Sequence, residues 1–173
     1  MVLISVSGIR ATPELKVTSV EDGIQPIKME VFYMPDLANP KDAHVDERLR
    51  KNLIIWLSSV RPDGRPHLVP VWFLWDGKKI LIFSQPNTQK IRNLQQNTNV
   101  ILALDDTKDG EDVVMLEGKA EFLNDPAVNP TLPAYAAKYD SELKSMGYTA
   151  EAMAAEYAQA IRITPTRFLN ISG

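Results

Sequence analysis

The sequence predicts a mainly β fold with helices, its sheet closing on itself as an antiparallel barrel. Three observations predict this. Two tight-turn signals, Pro62-Asp63-Gly64-Arg65 and Asp76-Gly77, cut an apolar region into strand-length pieces. The pieces His67 to Trp75 and Ile80 to Phe83 are apolar on both faces, so both faces must be covered. Closure into a barrel whose outer face rests on a partner subunit meets that demand without a long parallel crossover.

Residues 1–40 alternate weakly (Lys16 to Val20, Ile27 to Tyr33) and read as an N-terminal extension, either extra strands or an arm that wraps a partner. Residues 41–173 form the main domain. Asp42 to Lys51 is a short amphipathic helix leading into the first strand. Pro62 fixes φ, Asp63 tolerates the left-handed region and Gly64 is free, so Leu53 to Val60 and His67 to Trp75 pair as a hairpin. Pro70 lacks an N–H, and its presence predicts a local break in that ladder. After Ile80 to Phe83 the residues turn polar. Ser84, Gln85, Asn87 and Thr88 are short donors and acceptors, Pro86 stiffens the bend, and Thr88 or Asn87 caps a helix from about Gln89. Val100 to Leu104 and Val113 to Phe122 are strands around an acidic loop, Asp105 to Asp112, read as a solvated turn. The proline-containing run Asn124 to Pro133 is irregular, Ala134 to Ser145 and Ala150 to Ala160 are helices, and Ile161 to Thr164 is a last strand.

Composition bounds the function. At 173 residues with 45% hydrophobic and 24% charged residues, the chain is long enough for one real core. A formal charge of −3 gives no global attraction to nucleic acid or an anionic membrane. The absence of cysteine excludes disulfides, thiol redox chemistry, iron–sulfur ligation and cysteine-type zinc sites. His44 and His67 are too few and too separated in sequence for a His-rich metal site. The common dinucleotide, P-loop, nucleophile-elbow and zincin motifs are missing. No uncharged apolar run reaches the length of a membrane span, and the start, MVLISVSGIRA, has no basic residue before its short apolar run; the chain reads as cytoplasmic.

The candidate chemistry lies between Arg61 and Asn99. A phosphate at the start of the helix from Gln89 would meet free backbone N–H groups, the positive end of the helix dipole and the Lys90 ammonium. An ordinary capped helix with a solvated basic face fits the same spacing. Arg48, Arg50, Lys51, Arg61 and Arg65 concentrate further positive charge nearby.

HLVPVWFLWDG followed by ILIFSQPNTQKIRNL resembles the pyridoxamine-phosphate-oxidase-like flavin and deazaflavin oxidoreductases, in particular the subgroup that uses the deazaflavin coenzyme F420. The resemblance runs from about Leu53 to Arg167 and includes DVVMLEGKAEF, PAYAAKYDSELKSMGYTAEAMAAEYAQ and AIRITPTRF. It implies a six-stranded antiparallel split β-barrel working as a homodimer, with two cofactors at the subunit interface. By that resemblance His67, Leu68, Val69, Pro70, Val71 and Trp72 lie along the cofactor ring, while Ser84, Gln85, Thr88, Gln89 and Lys90 hold the ribityl chain and phosphate. Several flavin-binding relatives carry Arg where this chain has Gln89, a departure that disfavours a tight FMN clamp.

These residues also have plainer readings. A single histidine after a turn is more often a surface residue than a ring contact or haem ligand. Trp56, Trp72, Phe73 and Trp75 suit core or dimer packing, and only Trp72 joins the site. The reading carried forward is hydride transfer between F420 and a small unsaturated or conjugated molecule. The cofactor would do the hard chemistry, and no catalytic acid or base is visible. The rivals are an FMN enzyme and a non-catalytic flavin- or haem-binding protein with His67 or His44 as axial ligand.

Overall fold

The computed structural model of the chain describes residues 35–105, 107 and 110–172. The expected N-terminal extension falls almost wholly outside them. The described residues form four helices and seven strands: α1 (Pro40–Lys51), β1 (Ile54–Val60), β2 (Pro66–Trp72), β3 (Leu74–Trp75), β4 (Ile80–Ser84), α2 (Gln89–Gln96), β5 (Asn99–Leu104), β6 (Asp112–Leu123), α3 (Pro133–Ser145), α4 (Ala150–Glu156) and β7 (Gln159–Ser172).

All strands pair antiparallel in one sheet of order β2-β1-β5-β6-β7-β4-β3. The mainly β, barrel-like expectation holds, but the strand number is seven where six were expected. The extra strand arises because the run from His67 to Trp75 is broken at Phe73. Its first part, β2, pairs with β1, and its second part, β3, pairs with β4 at the other end of the sheet. One residue joins the two edges, so the sheet must roll until they meet at that corner.

Side chains of α3 satisfy the backbone that the corner frees. The Phe73 N–H donates to the Tyr139 hydroxyl at 2.7 Å, and that hydroxyl lies 2.8 Å from both the Phe73 and Leu53 carbonyl oxygens. Lys138 Nζ donates to the Phe73 carbonyl at 3.0 Å and sits 3.9 Å from the centroid of the Phe73 ring. Burial pushes the Lys138 ammonium down to about 8. Tyr139 also stacks face to face on Trp72, with centroids 4.3 Å apart.

Three further expectations are corrected. The ladder is not broken at Pro70, which pairs opposite Trp56. β2 is an edge strand, where proline's missing N–H can face outward without loss. The last strand extends from Gln159 to Ser172 instead of stopping at Thr164, because β6 pairs along it and a register shift between Glu117 and Gly118 absorbs Pro165. Gly118 is needed at that shift, since a Cβ there would lie 2.7 Å from Ile163 Cγ2 and 3.0 Å from the Thr164 oxygen. The second C-terminal helix ends at Glu156 because Gln159 already pairs with β4.

The barrel interior is filled from alternate strand positions, among them Ile55, Leu57, Ile82, Leu102, Leu116 and Ile163, all fully buried. A second cluster, built on Phe83, Tyr135, Tyr139, Leu143, Met153 and Ala160, seats α3 and α4 against the sheet. α1 is fixed by Asp46, which accepts from Trp75 Nε1 at 2.7 Å and pairs with Arg50. The opposite face of β1, β2 and β5 is apolar and uncovered: Ile54, Trp56 and Ile101 are each 42% exposed and Leu68 57%.

A candidate cofactor cleft at the seam of the barrel

A cleft of about 480 Å³ opens where β2 approaches the end of β4, bounded by α3 and α4. Pro70, Val71 and Trp72 form its β2 side, with Ile54 and Phe83 beside them. Lys90, in the first turn of α2, reaches it from one end. Leu143, Met146, Tyr148, Met153 and Tyr157 close the far wall.

The α2 end is built to leave donors unsatisfied. Asn87 takes a left-handed φ of 65°, which turns the chain sharply into Thr88 as N-cap. The Thr88 side chain makes no capping bond. Its hydroxyl lies 3.2 Å from that of Ser84, which itself donates to the Gln85 carbonyl at 2.9 Å. The first-turn N–H groups are thus left for another acceptor, and no acidic side chain occupies that turn.

The charges that act on His67 here are both positive. Burial pushes the Lys90 pKa down, and among the described residues no carboxylate or other acceptor is bonded to it. The His67 pKa is lowered by burial first, then by repulsion from Arg61 and Lys90. Its Nδ1 is buried and has no hydrogen-bond partner. A half-buried ammonium, an orphaned imidazole nitrogen and a neighbouring guanidinium are costly to gather unless an anion is to be held. These residues fit a phosphate-bearing cofactor.

The other expected site residues are engaged with neighbours or turned away from the cleft. Gln85 is half-buried at the end of β4, and its amide donates to the Glu156 carboxylate of α4. Gln89 is turned along its own helix, donating to Asn93 at 2.7 Å and accepting from Arg92 at 2.9 Å. Leu68 points to the uncovered outer face and Val69 packs against the barrel core. Arg65 is exposed in the hairpin turn and paired with Asp63 at 2.6 Å. His44 lies outside the cleft, bonded to Asp112 at 2.9 Å.

Sequence reasoning missed the far wall. Leu143 and Met153 look like the apolar stripe of amphipathic helices, which they also are. The Met146-Gly147-Tyr148 turn between the helices was the available signal, because an exposed methionine and tyrosine at a turn have no core to fill.

The family model described as pyridoxamine 5'-phosphate oxidase matches residues 42–172. A solved F420 reductase is 26% identical, with 72% of this chain and 94% of that chain covered and a TM-score of 0.55. A conserved hypothetical protein from Mycobacterium tuberculosis is 25% identical over 73% of this chain and 81% of that one, with a TM-score of 0.60. The haem storage protein HutZ from Vibrio cholerae shares the fold at 14% identity, covering 78% and 94% of the two chains with a TM-score of 0.53. No match was found among curated proteins. Among the described residues, no helix is long and apolar enough to cross a membrane.

Proposed function

Because this chain belongs to the pyridoxamine 5'-phosphate oxidase family, a split-barrel family of flavin-binding proteins, we propose that it is an oxidoreductase using the deazaflavin coenzyme F420. The observation that carries this reading is the half-buried Lys90 ammonium in the cleft, without an acceptor among the described residues, in the first turn of α2, whose N-cap side chain makes no capping bond. When bound, the coenzyme supplies hydride transfer to or from an unsaturated or conjugated small molecule. The chain's own residues bind and orient. Lys90 and the first-turn N–H groups hold the phosphate, with Ser84, Gln85 and Thr88 along the polar chain that leads to it. Pro70, Val71 and Trp72 give the ring a fixed apolar face, and Trp72 is itself held by its stack on Tyr139. Gln89 and Arg65, already engaged with neighbours, are given no part in the clamp.

The solved F420 reductase supports the deazaflavin over FMN. The Gln89 position points the same way, since its amide adds no charge to the clamp. Fluorescence titration is therefore expected to show tighter binding of F420 than of FMN, with affinity falling between low and physiological ionic strength as the cations are screened. Tighter FMN binding, or a yellow protein purified with stoichiometric FMN, would hand the site to the flavin.

We also propose a homodimer. Register places Ile54 beside Trp72, Trp56 between Pro70 and Ala103, and Ser58 between Leu68 and Ile101, so the exposed apolar residues form one continuous face. Ile54, Pro70 and Trp72 belong to both that face and the cleft, which supports a cofactor site completed by the second subunit. Burial of such a face stabilises association by roughly 25 cal/mol per Å² of apolar area before the costs of docking. Sedimentation at nanomolar concentration should still find the dimer, and a monodisperse monomer there would remove it.

A further inference from the structure

Two kinds of contact hold α2 on the barrel. Ile91 and Leu94 are buried in the core, and such apolar contacts are non-directional. Asn93 is fully buried and polar. Its Nδ2 donates at 2.9 Å to the Oγ of Ser59, a buried residue of β1, and its Oδ1 accepts from Gln89 at 2.7 Å. Gln89 in turn accepts from Arg92, whose other terminal nitrogen donates to the Asn87 carbonyl at 2.5 Å. A hydrogen-bonded chain thus runs from β1, along α2, to the left-handed residue before its N-cap.

An apolar residue at position 93 would be buried as well without the desolvation of an amide, so what the polar pair adds is a fixed geometry. Register pairs Ser59 with His67, and the bond therefore fastens α2 to the hairpin that carries His67 and Arg61. That placement is opposed by charge. Lys90, one turn before Asn93, repels a protonated His67, as Arg61 does, and has no acceptor of its own among the described residues. Resting on the reading of the cleft as a coenzyme site, we infer that Asn93 and Ser59 are positioning residues that hold the Lys90 ammonium in the cleft against the positive hairpin. The anchor for the coenzyme phosphate is then formed before the coenzyme arrives, and the cost of gathering like charges is met in folding instead of binding. Neither residue lines the cleft. Both act through Lys90.

The test combines Ser59→Ala with Asn93→Leu in the full chain, replacing both partners by apolar groups of similar size so that stability stays near that of the wild type. Without ligand, the His67 titration followed by NMR should move upward in the double variant, because Lys90 is free to withdraw and its repulsion weakens. In a Lys90→Met background the same pair of substitutions should leave the His67 midpoint in place, since the charge that moved is gone. Affinity for whichever of F420 or FMN the wild type binds should fall about tenfold. An unmoved His67 midpoint, an equal shift in both backgrounds, or an unchanged coenzyme affinity in the folded double variant overturns the inference. Should the double variant fail to fold, Ser59→Ala alone should move the midpoint the same way and weaken the coenzyme about threefold, and no change in either overturns it. If neither coenzyme binds the wild type, the functional reading falls. The His67 midpoint needs no ligand and still decides the positioning of Lys90, so the two failures are told apart.

Discussion

Tyr139→Phe is expected to destabilise the folded protein by about 2 to 4 kcal/mol, although it deletes a single oxygen. The fully buried Tyr139 hydroxyl accepts from the Phe73 N–H and approaches the Phe73 and Leu53 carbonyls. Lys138 still serves the Phe73 carbonyl in the variant. Among the described residues nothing else is bonded to the Phe73 N–H, so that donor is left buried and unsatisfied at about 1 to 3 kcal/mol, and the lost bond to Leu53 adds about 1 kcal/mol. The ring and its stack on Trp72 are retained, which separates the hydrogen bond from packing. Urea unfolding followed by tryptophan fluorescence gives the value, and a loss below about 1 kcal/mol would mean that the corner at Phe73 holds without its latch.

Lys90→Met should move stability and binding in opposite directions. Replacing a half-buried ammonium that has no acceptor among the described residues by an apolar chain of similar length removes a desolvation cost, so the unliganded protein should be at least as stable as the wild type. Coenzyme affinity should fall by about 1.5 to 3 kcal/mol, the range of a charge-assisted hydrogen bond, or roughly ten- to hundredfold. Thr88→Ala should cost less, because its hydroxyl is neutral and already near Ser84. Thermal melting and coenzyme titration read the two effects. A variant that melts earlier and binds unchanged would make Lys90 a structural residue and move the anchor towards Arg61 or His67.

What the sequence made legible was local. The hairpin turn at Pro62 to Arg65, the strand from Ile80 and the helix start at Thr88 each depend on a few adjacent residues with special φ or side-chain acceptors, and each is where the pattern puts it. The break at Phe73 was not legible, because HLVPVWFLW is one unbroken apolar run and the residue that rescues its backbone lies in α3. Pro165 reads as a stop, yet continuous pairing with β6 carries β7 past it. At the cleft, the polar stretch after Phe83 pointed to the cationic end, whereas the far wall was hidden in helices whose apolar residues also serve the core. Likewise the paired state of Arg65 and the inward turn of Gln89 depend on partners that spacing alone does not choose.

The corner at Phe73 also bears on how the chain reaches this structure. β1 and β2 form a hairpin with short loop closure, and β3 can join β4 across the Asp76-Gly77 turn as soon as both exist. Satisfying the residue between them requires Tyr139, 66 positions further along the chain. Until α3 arrives, the two hairpins hang on a hinge whose buried amide has no better partner than water. Barrel closure therefore belongs to the late, high-contact-order part of folding, and stabilising α3 should slow unfolding more than it speeds folding.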